Sequence, residues 1–152
     1  FIVNNGSPEG DFGGVHFAQQ QGSIASNNGV FRFNTVAENL TGNDNIAGLQ
    51  CETTAQIEAS IIWDNVTVGG ETTPLRGDCE VEQRGNNIDA TNIPGNLNRD
   101  PMFLDPGEDF HLNPMSPCID AVNMGTDWET EDFDGHDRPL GAAGDIGADE
   151  AP

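Results

Sequence analysis

The chain is 152 residues long, carries 26 acidic against five basic residues for a formal net charge of −21, and is 35% hydrophobic. This length suits a single domain, and the charge repels a phosphate backbone and so excludes nucleic acid as a partner. No apolar run is long enough for a membrane-spanning segment.

The apolar residues fall in short runs between Gly, Asn and Pro, as in a loop-rich β protein. Along the chain, "FIVNN" at 1–5 and "GGVHF" at 13–17 align with "TVAEN" at 35–39 and "AGLQC" at 47–51 at one shared offset of 34 residues. "FRFNTVAEN" at 31–39 aligns with "IEASIIWDN" at 57–65 at an offset of 26, with apolar residues at 31, 33 and 36 and at 57, 59 and 62. The step of two is strand alternation. The step of three marks a corner, with Asn34 or Ser60 at the break. A third copy, "CEVEQRGNN" at 79–87, follows at an offset of 22, with Cys79 and Val81 in the apolar slots and Arg84 in place of the third apolar residue.

Short strands, corners and a repeat whose period varies with surface loops predict an all-β fold of the parallel β-solenoid type. Successive coils would lie about 4.8 Å apart, with Phe31, Ile57 and Cys79 in one interior column. Asn39, Asn65 and Asn87 would stack as a corner ladder whose amides satisfy one another. The alternative is a β-sandwich, since asparagine favours turns of any kind. Asn5-Gly-Ser7, Asn39-Leu-Thr41 and Asn65-Val-Thr67 also match the N-glycosylation triplet, and the ladder reading makes them structural. Phe1 opens inside what reads as the last strand of a coil. The chain therefore reads as a piece of a longer solenoid, or as one whose open first coil another molecule covers.

Cys51 and Cys79 stand on strand-like ends of neighbouring repeats and are expected to form a disulfide, implying an oxidising compartment; two separately buried thiols are the alternative. Cys118, in "SPCID", reads as a small buried residue.

After about residue 95 the repeat stops. Asp100-Pro-Met-Phe, Asp109-Phe-His-Leu, Ser116-Pro-Cys-Ile-Asp120, Asp134-Gly135 with Arg138-Pro139, and Asp145-Ile-Gly-Ala-Asp-Glu150 follow in order. These five elements resemble the C-terminal part of secreted bacterial right-handed parallel β-helix proteins of the choice-of-anchor Q type. The resemblance covers roughly the last 55 residues, and more loosely the coils before them. It implies a right-handed β-helix with coils over 1–94, the first incomplete, and a loop-rich capping segment over 95–152. It also implies a secreted protein, extracellular or at the bacterial cell surface. The fold is shared with pectate-lyase-type enzymes, and fold does not set function.

In the tail, Met102, Phe103, Leu104, Phe110, Leu112, Ile119 and Ile146 could cover an open solenoid end, while Pro101, Pro106, Pro114, Pro117 and Pro139 stop further strand pairing. Arg138 is expected to pair with Asp145, with Asp134 and Glu150 as the other candidates. Asp127, Asp132, Asp134 and Asp137 form the candidate calcium set, hard oxygen donors at high density. "DFDGHD" is not an EF-hand loop, and a solvated acidic loop is the competing reading.

No catalytic residue is assigned. β-helix lyases use Lys or Arg as base, often with calcium; this chain has no lysine, and Arg32 and Arg84 are its corner arginines. Its charge would repel polyuronate. His16, His111 and His136 are scattered, without metal-ligand spacing. The reading is a non-enzymatic extracellular structural or adhesive module, able to self-associate head-to-tail through its open first coil. The alternatives are a carbohydrate-active β-helix fragment (polysaccharide lyase or glycoside hydrolase) and a calcium-dependent module binding a surface glycan.

Overall fold

The computed structural model describes residues 1–19, 29–42, 45–83, 85–89, 92–123, 125 and 128–152. Among them every regular element is a strand and most pairing is parallel. One sheet has four parallel strands in the order β1 (Ile2–Val3), β4 (Thr35–Ala37), β7 (Ile61–Trp63) and β10 (Asn87–Ile88). Ile2, Val36, Ile62 and Ile88 share one register position across it. In a second sheet, β2 (Val15–Phe17) and β3 (Gly29–Arg32) both pair with one side of the long β6 (Leu49–Glu58), and β9 (Leu75–Val81) pairs with the other. β5 (Leu40–Thr41) and β8 (Val66–Thr67) make a third parallel pair, and β11 (Phe103–Asp105) and β12 (Asp109–Leu112) an antiparallel hairpin in the tail.

The registers carry the sequence repeat. Ile2 pairs with Val36 and Val15 with Leu49, the offset of 34; Phe31 pairs with Ile57, the offset of 26. The third copy is corrected. Asn87 lies opposite Ile61, again 26 residues away, rather than level with Asn65. Val81, not Cys79, continues the column of Phe31 and Ile57; Cys79 lies opposite Ala55. The cause is a register shift. β6 advances four positions from Cys51 to Ala55 where β9 advances two from Gly77 to Cys79, and Gly77 takes φ 84° at this shift.

The corners also repeat. Phe33, Ala59 and Gly85 have positive φ, as do Asn4, Glu38 and Asp64. A left-handed non-glycine residue costs about 1–2 kcal/mol, so these turns persist because the strands on both sides are held in register. The left-handed turn redirects the side chains. Phe31 and Ile57 belong to one apolar cluster, with Val36, Leu49, Cys51, Ala55, Ile62 and Ile88. Phe33 and Ala59, two residues on, belong to a second cluster with Ala37 and Ile61.

That second cluster is completed by the tail: Phe103, Phe110, Leu112, Cys118, Val122, Trp128, Ile146 and Ala151. Thr35, Val36 and Ala37 are all buried because the four-stranded sheet is covered on both faces, as parallel sheets usually are. The residues expected to close the end of the stack instead lie along its side. Asn87 donates to the Arg99 carbonyl at one end, Asn4 to the Gly107 carbonyl at the other, and Gly147 N–H to Ala59 O between them. Leu104 is half exposed.

Candidate functional site

The corner asparagines form a directional ladder. Asn5 donates from its backbone N–H and its amide to Asn39 Oδ1 (2.9 and 3.1 Å), and Asn39 does the same to Asn65 Oδ1 (3.3 and 2.8 Å). In return, Asn39 Nδ2 donates to Ile2 O and Asn65 Nδ2 to Val36 O, both at 2.9 Å. Asn39 and Asn65 are fully buried. Asn87 is outside this ladder; it holds Arg99 O and Cys118 Sγ. Its neighbour Asn86 instead belongs to a second column, in which Asn34 N–H meets Ser60 Oγ, Ser60 N–H meets Asn86 Oδ1 and Asn86 N–H meets Asn96 Oδ1. Among the described residues β1, β2 and β3 are paired on one side only.

The expected disulfide is present. Cys51 and Cys79 are bonded with Cα atoms 5.3 Å apart, joining β6 to β9. Cys118 is a buried thiol whose pKa burial pushes up to about 11, which removes it as a nucleophile.

Of the candidate calcium set, Asp132 and Asp134 come together, with carboxylate oxygens within 4.8 Å of one another. Asp127 lies outside the described residues. Asp132 Oδ1 accepts from Asp134 and His136 N–H, and its Oδ2 from Glu150 N–H and the His136 ring. Asp137 bridges through its backbone to Glu131. Asp132 and Asp134 fall within two trios, His111 with Asp134 and Asp149, and Asp132 with Asp134 and His136; in each trio the ligand-type atoms lie within 4.8 Å of one another. His111 Nε2 meets Asp134 Oδ2 at 2.7 Å, its Nδ1 meets Asp109, and Asp149 Oδ2 accepts from Leu112 N–H. The hydrogen bond to Asp109 is the largest cause of the raised His111 pKa, opposed by partial burial. The group acts as an ion-pair clip between β12 and the loop at 132–136. No sequence spacing announced it, since His111 and Asp134 are 23 positions apart.

Arg138 pairs with Glu150 (Nη1–Oε2 3.1 Å) rather than with the Asp145 carboxylate. It also donates to the carbonyls of Asp145, Gly147 and Ala148 and lies 4.0 Å over the Phe33 ring. The Asp145 carboxylate instead accepts N–H bonds from Asp120 and Ala151. Burial raises Asp145 to about 6, against those two bonds. The motif from Asp145 to Glu150 thus holds the tail by collecting backbone donors.

Arg32, the described corner arginine, is engaged as well. Its Nε bonds Glu58 at 2.9 Å, its Nη1 meets Glu129 at 3.3 Å, and its guanidinium lies 4.7 Å from the Trp128 ring. Arg84 lies outside the described residues. His16 pairs with Glu52 and stacks on Phe12. Between Arg32 and Arg138 opens a cavity of about 180 Å³ that Phe33, Glu129, Glu131 and Phe133 also line. Sequence spacing missed it, because residues from 32–34 and 129–148 meet there only through the tail's return.

No helix among the described residues is long and apolar enough to cross a membrane. No family model, no curated protein and no solved structure matches the chain.

Proposed function

We propose that the chain is a non-enzymatic structural or adhesive module of an extracellular or bacterial cell surface. It is built as a right-handed parallel β-helix and stacks head-to-tail on a second copy through its first rung. In this reading the corners at Phe33, Ala59 and Gly85 separate the rungs of one winding. Right-handedness is the rule for crossovers between parallel strands. The resemblance of the five tail motifs to choice-of-anchor Q type β-helix proteins supports this reading, and the Cys51–Cys79 bond suits an oxidising compartment.

One observation carries the stacking. The ladder hands N–H groups from each rung to the next, and β1, β2 and β3 present one side with no strand against it among the described residues. An open parallel edge is a template for another chain. Pairing it with the far end of the next copy makes a heterologous contact, which repeats into a filament. The engaged state of Arg32 and Arg138 and the buried Cys118 thiol support the non-enzymatic reading.

Sedimentation of the purified chain over a range of concentrations tests this. Val15 N–H donates to Gly48 O, so strand alternation turns the His16 N–H to the open side. His16→Pro removes that donor and no bond within the sheet. The expected result is mass that rises with concentration above the 16.2 kDa monomer and returns to it in His16→Pro. A monomer at every concentration sinks the stacking reading.

A further inference from the structure

The two trios that share Asp134 differ in how far their acceptors are already answered. Asp132, Asp134 and His136 lie in one loop, where Asp132 meets three backbone N–H groups and a ring nitrogen. His111, Asp134 and Asp149 come instead from three separate segments of the tail. Asp149 is 6% exposed, and among the described residues its carboxylate accepts one hydrogen bond, from Leu112 N–H at 2.7 Å. A carboxylate has about four lone-pair sites, and a buried charge is costly unless it is paired. Asp149 is therefore a buried acceptor with capacity to spare, and one of its oxygens lies within 4.8 Å of the ligand-type atoms of His111 and Asp134.

His111 makes the same demand from the other side. Its Nδ1 meets Asp109, and its Nε2 meets Asp134 Oδ2 at 2.7 Å. A neutral imidazole carries one N–H. With that proton on Nδ1, toward Asp109, the Nε2 lone pair faces a carboxylate oxygen, and two acceptors in contact need a positive centre between them. A second ring proton supplies it, as in the ion-pair clip. A divalent metal ion also supplies it, and draws on Asp149 as well. Metal-binding histidines commonly hand their other N–H to a carboxylate, the place Asp109 takes here.

The donor set selects the ion. One imidazole nitrogen and two carboxylate oxygens suit zinc, which open sites hold by three protein ligands and a water. Calcium takes a shell of about six to eight oxygens, which this trio does not approach. The His111 and Asp134 side chains are 38% and 36% exposed, so an ion can enter and keep a water.

We propose that His111 Nε2, Asp134 and Asp149 bind one zinc ion, with Asp109 as the positioning residue behind the His111 ring. The ion would cross-link β12, the loop at 132–136 and the segment 145–150, fastening the tail along the sheet. The site does not depend on stacking, and sedimentation can fail without touching it.

Isothermal titration of the untagged full chain, disulfide intact, with zinc chloride tests this, beside manganese and calcium chlorides. NMR of the histidine ring nitrogens gives a readout on the parent alone, which decides the matter even where a variant fails to fold. One zinc should bind per chain, more tightly than manganese or calcium, and should shift the His111 Nε2 resonance while leaving those of His16 in place. Asp109→Asn should weaken zinc roughly tenfold, as loss of a carboxylate behind a ligating histidine does. Asp149→Asn keeps an acceptor for Leu112 N–H but loses the charge, and should weaken zinc by more than Asp109→Asn does. Three results overturn the proposal: zinc leaves the His111 resonance in place, calcium binds more tightly than zinc, or Asp149→Asn binds zinc as well as the parent.

Discussion

Replacing Asn65 by alanine deletes the middle step of the asparagine ladder, and its cost can be worked from the bonds lost. Asn65 Oδ1 accepts from Asn39 N–H and Asn39 Nδ2, and Asn65 Nδ2 donates to Val36 O and Trp63 O. The side chain is fully buried, so water does not take its place. Asn39 Nδ2 keeps Ile2 O for one hydrogen, but the Asn39 N–H and the Val36 carbonyl lose these partners. Each buried group left unsatisfied costs about 1–3 kcal/mol, which puts Asn65→Ala at roughly 4 kcal/mol. That is a large share of the roughly 5–15 kcal/mol of a typical domain. Asn5→Ala, at the exposed end of the ladder, removes one amide donor while Asn39 Oδ1 keeps the Asn5 backbone N–H, so it should cost about 1 kcal/mol or less. Urea unfolding with the disulfide intact, followed by circular dichroism, measures both. If the two variants fall within about 1 kcal/mol of each other, the scale of one hydrogen bond, the ladder does not hold the strands in register as argued.

Two further outcomes follow from buried groups. Burial, the larger cause, and the Asp64 charge raise Asp89 from 3.8 to about 6 against a hydrogen bond from Asp64 N–H, so the folded state binds a proton the unfolded state releases. That contribution is full below pH 3.8 and lost as pH rises through about 6. Asp89→Asn should therefore gain about 3 kcal/mol over the parent at pH 8 and nothing at pH 4; a difference in thermal unfolding that stays flat or reverses with pH contradicts this. Reducing the Cys51–Cys79 bond, which closes a separation of 28 residues, should cost about 3–4 kcal/mol by loop entropy. A Cys51→Ser, Cys79→Ser double variant that unfolds at the parent's urea midpoint would show the bond to be dispensable.

The first two repeats were legible because their offsets of 34 and 26 are also the strand registers. The third was not. "GNN" at 85–87 offered two asparagines, and nothing local showed that β9 would skip two residues relative to β6. Val81 took the place that spacing had assigned to Cys79, while Asn87 fell outside the Asn39–Asn65 ladder and Asn86 joined the separate column of Asn34 and Ser60. The lateral position of the tail did leave a trace. Ile61-Ile62-Trp63 is apolar at three successive positions, the mark of a strand covered on both faces rather than one. The ionic groups of the tail were beyond reach for another reason. Asp134, Asp145 and Glu150 are equally plausible partners for Arg138 on charge alone, and only the return of the chain past Phe33 brings Glu150 to it. The His111 clip and the cavity likewise join segments that are far apart in the chain.

The lateral tail has a consequence for how such a molecule could grow. It runs from Arg99 beside Asn87 to Gly107 beside Asn4, so it acts as a ruler cut to four strands, about 14 Å across their three gaps at the usual spacing. Duplicating a 26-residue unit, the simplest lengthening by recombination, would outrun that ruler and leave one row of isoleucine and alanine bare to water. Under the proposed stacking, longer rods would be reached by adding whole copies, each bringing its own ruler, and an internal duplication should give insoluble protein instead of a longer soluble one.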